Sequence, residues 1–110
     1  MAKKNLSNEA LELVAARFKV LAEPLRLRIL HSLQEGELSV NEICEQVGAS
    51  QPNVSKHLKI LQETGVLRRQ QSGNAVLYSI ADESIFSLCE LVCNSLEARI
   101  KDHARILALN

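Results

Sequence analysis

Val40-Asn41-Glu42-Ile43-Cys44-Glu45-Gln46-Val47-Gly48-Ala49-Ser50-Gln51-Pro52-Asn53-Val54-Ser55-Lys56-His57-Leu58-Lys59-Ile60-Leu61 reads as two short helices around a sharp turn. Val40, Ile43, Cys44 and Val47 fall three or four residues apart and share one helical face. Gly48 follows, and glycine enters the left-handed conformation that ends a helix at little cost. Ser50 is placed to cap the next helix, with Pro52 inside its first turn, where a missing N–H is tolerated. Val54, Leu58 and Leu61 form the apolar stripe of that second helix. Its other faces carry Gln51, Asn53, Ser55, Lys56, His57 and Lys59, side chains that hydrogen-bond to bases or neutralise phosphates. Two helices, a turn and a polar second member make a helix-turn-helix with a recognition helix.

Working outward, Ser39 precedes the first of these helices and Glu42 stands three residues on, the pattern of a capping box. Upstream, Ser7-Asn8-Glu9-Ala10 opens a helix whose apolar positions are Leu11, Val14, Phe18 and Leu21, and which ends before Pro24. A second helix is expected from about Leu25 to Leu33, with Leu25, Ile29, Leu30 and Leu33 inward and Gly36 at its stop. Downstream of Gly65, residues 66–71 and 75–80 flank the turn Ser72-Gly73-Asn74 and predict a β-hairpin. A hairpin directly after a recognition helix reads as a wing, from which Arg68, Arg69 and Asn74 can meet the DNA backbone or minor groove. Ala81-Asp82-Glu83 opens a last helix expected to run to about Leu107, with the stripe Ile85, Leu88, Cys89, Val92, Cys93, Leu96 and Ile100. So small a domain has little core to cover that surface, so a homodimer through the last helix and the first is expected.

The fold class expected is mainly α with a β-hairpin wing: a winged helix-turn-helix of about five helices in a single domain, 1–110. The DNA-reading motif spans about 39–80 and the dimerisation helices about 7–22 and 82–107. No repeat, linker or low-complexity segment interrupts the 110 residues, 46% of them hydrophobic. With two Phe, one Tyr and no Trp, the core must be aliphatic, which suits helices.

Charge narrows the partner. The net charge is zero, yet residues 50–74 hold Lys56, Lys59, Arg68 and Arg69 against Glu63 alone. A segment of +3 on a remainder of −3 faces phosphates while the body stays soluble. No apolar run of about 18 residues predicts a membrane span, and Met1-Ala2-Lys3-Lys4-Asn5 lacks the apolar stretch of a signal peptide. A cytoplasmic address is expected, and three cysteines without framework spacing fit free thiols in a reducing compartment. Catalysis is not expected: there is no glycine-rich phosphate loop and no paired carboxylate set, and Ser55 and His57, two apart on a helix, point away from each other. The rival reading is a winged-helix module that binds protein, because fold does not fix function.

The whole chain resembles the arsenic-repressor (ArsR/SmtB) family of bacterial winged-helix regulators. Phe18 through Leu30, Glu37 through Ile43, Ser50 through Leu61, Gly65-Val66-Leu67 and the wing ending in Tyr78-Ser79-Ile80 carry the likeness, which covers about Leu6 to Ile100. The resemblance implies a homodimer that binds a near-palindromic operator and represses transcription until an inducer releases it. It also puts Gln51, Asn53, Ser55, Lys56 and His57 at positions that face the major groove.

The family's sensor sites are altered here. Where its arsenic and cadmium sensors have Cys-Val-Cys, this chain has Ser39-Val40-Asn41, leaving Cys44, which matches a further family cysteine not central to sensing. Of the last-helix zinc and nickel site, Asp82 survives, but Ser84, Ser95 and Ala98 stand at ligand positions. His31 replaces the second-helix cysteine of the persulfide sensors. Cys89 and Cys93 remain as i, i+4 neighbours, with Cβ atoms roughly 5–6 Å apart. An unstrained disulfide wants about 3.5–4.5 Å, whereas a bridging soft ion tolerates the wider gap. Three readings stay open for them: packing as small hydrophobes, a site for As(III) or another soft metal ion, alone or with a third thiol from the partner subunit, and a redox or persulfide switch. Cys44 faces the motif core, where packing is the first reading and a metal-site role the alternative, and His31 and His103 read as surface or packing residues. No cofactor is required by any of these readings.

Overall fold

The computed structural model describes residues 5–106, with side chains as far as Asp102. Five helices and three strands follow in the order α1 (Asn8–Leu21), α2 (Pro24–Ser32), β1 (Leu38–Ser39), α3 (Val40–Val47), α4 (Gln51–Glu63), β2 (Leu67–Ser72), β3 (Ala75–Ile80) and α5 (Ser84–Ile106). Among the described residues no helix is long and apolar enough to cross a membrane. The end of the last helix near Leu107 and the side chain of His103 lie outside what is described.

Local chemistry sets most of the boundaries. The Ser7 hydroxyl accepts from the Ala10 N–H at 3.1 Å and starts α1. Pro24 sits in the first turn of α2. At α3 the expected capping box is complete: the Ser39 N–H donates to Glu42 Oε1 at 2.9 Å and the Glu42 N–H to Ser39 Oγ at 3.3 Å. Gly48 ends α3 with φ 68° and ψ 39°, and its N–H donates to the Cys44 carbonyl at 2.9 Å. Ser50 occupies the cap position of α4, but its hydroxyl makes no capping bond. Asp82 caps the last helix instead of belonging to it: its Oδ1 accepts from the Ser84 N–H at 3.1 Å, and α5 begins at Ser84.

Ile43 from α3 meets Val54, Leu58 and Leu61 from α4, all fully buried, over Ile29 and Leu30 of α2. Val66 and Leu67 close this core below the wing, and Ile85 of α5 joins it. The two-strand expectation for the wing falls short by one strand. The sheet has the order β1-β3-β2, all antiparallel, with Leu38 opposite Tyr78 and Ser39 opposite Leu77. The segment that caps α3 therefore also anchors the hairpin to the helix-turn-helix. β2 and β3 pair from Leu67↔Ile80 to Ser72↔Ala75, so Gly73 and Asn74 alone turn the tip. Gly73 takes φ 63° there, and Gln71 Nε2 donates to its carbonyl at 3.2 Å.

Two faces of the chain stay uncovered. On α1, three of the four expected apolar-face residues, Leu11, Val14 and Phe18, are 39–51% exposed, and only Leu21 is buried. On α5, Leu91, Val92, Leu96 and Ile100 are 49–68% exposed.

Candidate nucleic-acid interface and groove

The recognition helix is divided by burial. Val54, Leu58 and Leu61 point into the core, while Gln51, Asn53, Ser55, Lys56 and Lys59 are exposed along the rest of α4. Ser50, at the start of the helix, is also exposed. On the wing, Leu67 is buried, but Arg68, Arg69 and the tip residue Asn74 are exposed. Strand β2 follows α4 through a short turn and packs against it, so amides, hydroxyls and four cations share the surface of two adjoining elements.

His57 departs from the expectation that it lies on this exposed surface. It is 7% exposed and is the one polar or charged residue among the buried ones described. Its Nδ1 accepts from Arg26 Nε of α2 at 3.0 Å. Burial, with the Arg26 and Lys56 cations beside it, pushes its pKa below the ordinary histidine value, while Glu23 works in the opposite direction. The physical reason is rotational. Position 57 adjoins the 54-58-61 stripe, and α2 supplies a donor that satisfies the ring in the seam. Arg26 itself is half-buried, and its Nη1 donates to the Val20 carbonyl at 3.0 Å. Spacing along the chain assigns Arg26 no role: it is one of two cations, with Arg28, in the otherwise apolar run Leu25–Leu30, and nothing local separates them.

A second feature lies between α1, α2 and α5. Phe18 and Leu21 of α1, Leu27 and His31 of α2, and Leu88, Cys89, Val92, Cys93, Leu96 and Ile100 of α5 line a largely apolar groove of about 720 Å³. Cys89 is half-buried and Cys93 exposed, and all three thiols are free. The His31 ring bonds through Nδ1 to the Leu27 carbonyl at 2.9 Å and meets the edge of Phe86, with ring centres 5.6 Å apart. Cys44 is elsewhere, half-buried on α3 against the core, so the third thiol does not join the other two. Among the described residues no three His, Cys, Asp or Glu side chains are grouped closely enough to hold a metal ion.

Comparison with known proteins gives a consistent result. Residues 23–69 match the family described as "Bacterial regulatory protein, arsR family". The uncharacterised HTH-type transcriptional regulator Rv0081 of Mycobacterium tuberculosis is 37% identical over 97 residues, 87% of this chain and 85% of that one. Its crystal structure superposes with a TM-score of 0.78 at 36% identity, covering 89% of this chain and 99% of that one. The antimony-specific transcriptional repressor AntR gives a TM-score of 0.78 at 30% identity over 92% of each chain. The homodimeric winged helix-turn-helix DNA-binding domain Mb0332 of Mycobacterium bovis gives 0.74 at 31%, covering 94% of this chain and 96% of that one. Alignments with curated M. tuberculosis relatives span from 57% to 85% of those proteins' own lengths.

Proposed function

Because this chain belongs to the ArsR/SmtB family of winged helix-turn-helix, DNA-binding transcriptional regulators, we propose that it is a cytoplasmic homodimeric repressor of a near-palindromic operator. In this reading α4 enters the major groove, where Gln51, Asn53 and Ser55 read base edges and Lys56 and Lys59 take phosphates. Arg68, Arg69 and Asn74 hold the flanking backbone or minor groove from the wing, and Ser50 meets the backbone at the helix start. His57 drops out of the contact set because its ring is buried in the seam against Arg26. Two copies joined through α1 and α5 present two recognition helices to half-sites about one helical turn, or a multiple, apart. The observation that carries the reading is the exposure of the polar face of α4 beside a basic wing, on a chain whose net charge is zero.

The inducer belongs to the same proposal. Cys89 and Cys93 share the groove between α1, α2 and α5, and AntR, a relative in fold and sequence, is antimony-specific. A thiophilic species such as As(III) bridging the two thiols would bear on both uncovered helices at once and change the angle between subunits. The remaining donor comes from the partner subunit or from solvent.

DNA from upstream of the protein's own gene tests the repressor reading. Affinity should fall steeply with salt, with a log–log slope near −0.9 for each phosphate neutralised, and should weaken in Lys56→Ala and Asn53→Ala. Absent or salt-independent binding would overturn it.

A further inference from the structure

We propose that Arg26 is a positioning residue for operator binding, holding the recognition helix through a neutral His57, and that a proton on His57 releases that hold. The inference rests on α4 being the DNA-reading element. One guanidinium joins three helices here. Arg26 extends from α2, donates from Nη1 to the Val20 carbonyl in the last turn of α1, and donates from Nε to His57 Nδ1 on α4, both at 3.0 Å. Its two acceptors therefore come from a helix of the proposed dimer face and from the helix that carries Asn53, Ser55, Lys56 and Lys59.

The chemistry of the pair dictates the state of the ring. A guanidinium has only donors, so Nδ1 must offer a lone pair and the ring hydrogen must sit on Nε2. An imidazolium has an N–H at both nitrogens. Protonation would set N–H against N–H and cation against cation at a 3.0 Å separation, so the bond cannot survive it. Charged groups bear on the ring from both elements packed around it. Arg26 on α2 and Lys56 on α4 oppose the proton, while Glu23, at the cap position of α2, favours it. The fold thus keeps His57 neutral at physiological pH, and the seam opens only when acid overcomes both cations and burial.

The test measures operator affinity from pH 7.5 to 5.0 at constant ionic strength for wild type, His57→Gln, Arg26→Met and Arg26→Lys, with a melting curve at each point. In parallel, imidazole 15N shifts are recorded on the free protein. Wild type should hold its affinity through the ordinary histidine range and lose about tenfold or more only as pH falls well below 6.5 toward 5.0, the size expected when one hydrogen bond to a charged group is lost. His57→Gln, whose amide oxygen can accept from Arg26 and does not titrate, should bind at pH 7.5 and lose that pH dependence. Arg26→Met should remain folded yet bind about tenfold more weakly at pH 7.5, with Arg26→Lys recovering part of the loss. The 15N shifts should report hydrogen on Nε2 and none on Nδ1. A wild type and His57→Gln that weaken together with falling pH, an Arg26→Met that binds like wild type, or a protonated Nδ1 at pH 7.5 would each overturn the proposal. Wild type that binds no operator at pH 7.5 overturns the assignment of α4 along with it. That failure is separable, because the ring signature is read without DNA.

Discussion

Arg17 Nη1 lies 2.7 Å from Asp82 Oδ2, and this ion pair fastens α1 to the cap of α5. The same guanidinium donates from Nη2 to the Thr64 carbonyl at 3.1 Å, where α4 ends. Asp82 in turn holds the first turn of α5 through Ser84. The two uncovered helices are therefore registered to each other, and to the end of the recognition helix, around one arginine. An aspartate that marks a metal ligand in the family's zinc and nickel sensors here has a structural role.

Asp82→Ala should consequently cost about 0.5–2 kcal/mol, the range for a lost N-cap. The ion pair adds little to that, since its two side chains are 38% and 33% exposed. The Ser84 hydroxyl first, and its N–H and Arg17 after it, hold the Asp82 carboxyl below its ordinary 3.8 against a desolvation effect that works the other way. A depressed carboxylate contributes stability that is complete above its unfolded value and is lost as pH falls through its folded one. Melting curves should show a constant gap between wild type and variant from pH 7 to about 5, narrowing below about 4. A gap that stays unchanged to pH 2.5 would mean that the charge of Asp82 is irrelevant.

Base readers and phosphate holders should separate experimentally. Arg68→Ala and Arg69→Ala should each weaken binding almost equally for all DNA sequences and reduce the magnitude of the log–log salt slope by about 1. Asn53→Ala should instead cost about 1–3 kcal/mol on the operator alone and relax preference at one base pair in each half-site. Fluorescence anisotropy over 50–200 mM salt, on operator and scrambled duplexes, distinguishes the two patterns. If Asn53→Ala weakens both duplexes equally, Asn53 is a backbone contact.

Phe18 and Leu96 are about half exposed on a chain whose core is otherwise well closed. Both line the groove where α1 faces α5. Leu96→Glu or Phe18→Glu should leave the helix-turn-helix folded and convert a dimer into a monomer in sedimentation velocity. Operator affinity should fall with it, because the half-sites would then be bound independently. A wild type that sediments as a monomer at micromolar concentration excludes the symmetric reader.

Local sequence carries most of the fold. The capping box at Ser39 and Glu42, the left-handed Gly48 and the Val54-Leu58-Leu61 stripe can each be read within one or two turns of chain. β1 cannot, because two residues have no periodicity and Leu38 becomes a strand only on meeting Tyr78, forty positions on. The orientation of His57 was equally non-local. A polar residue beside an apolar stripe reads as surface until the partner is known, and Arg26 is 31 residues away. Ser50 shows a subtler limit: it holds the cap position that its residue type favours without making the capping bond. The cysteine spacing was legible, but the exposure of Cys93 and the shared groove with His31 depend on how α5 crosses α1 and α2.

The thiols provide the last prediction. If Cys89 and Cys93 bind the inducer, arsenite added to reduced protein should produce a near-ultraviolet thiolate charge-transfer band that saturates at a fixed stoichiometry. Cys89→Ser and Cys93→Ser should each abolish it, whereas Cys44→Ser should leave it unchanged, since Cys44 lies on α3 outside the groove. Saturating arsenite should lower operator affinity by about 5–150-fold, corresponding to a coupling of roughly 1–3 kcal/mol. By the reciprocity of linkage, operator DNA must weaken arsenite binding by the same factor, so one titration checks the other. If neither arsenite, cadmium nor zinc gives a band, the soft-ion reading fails. Persulfide or peroxide treatment that releases DNA from wild type but not from Cys93→Ser would then assign the exposed thiol to redox sensing.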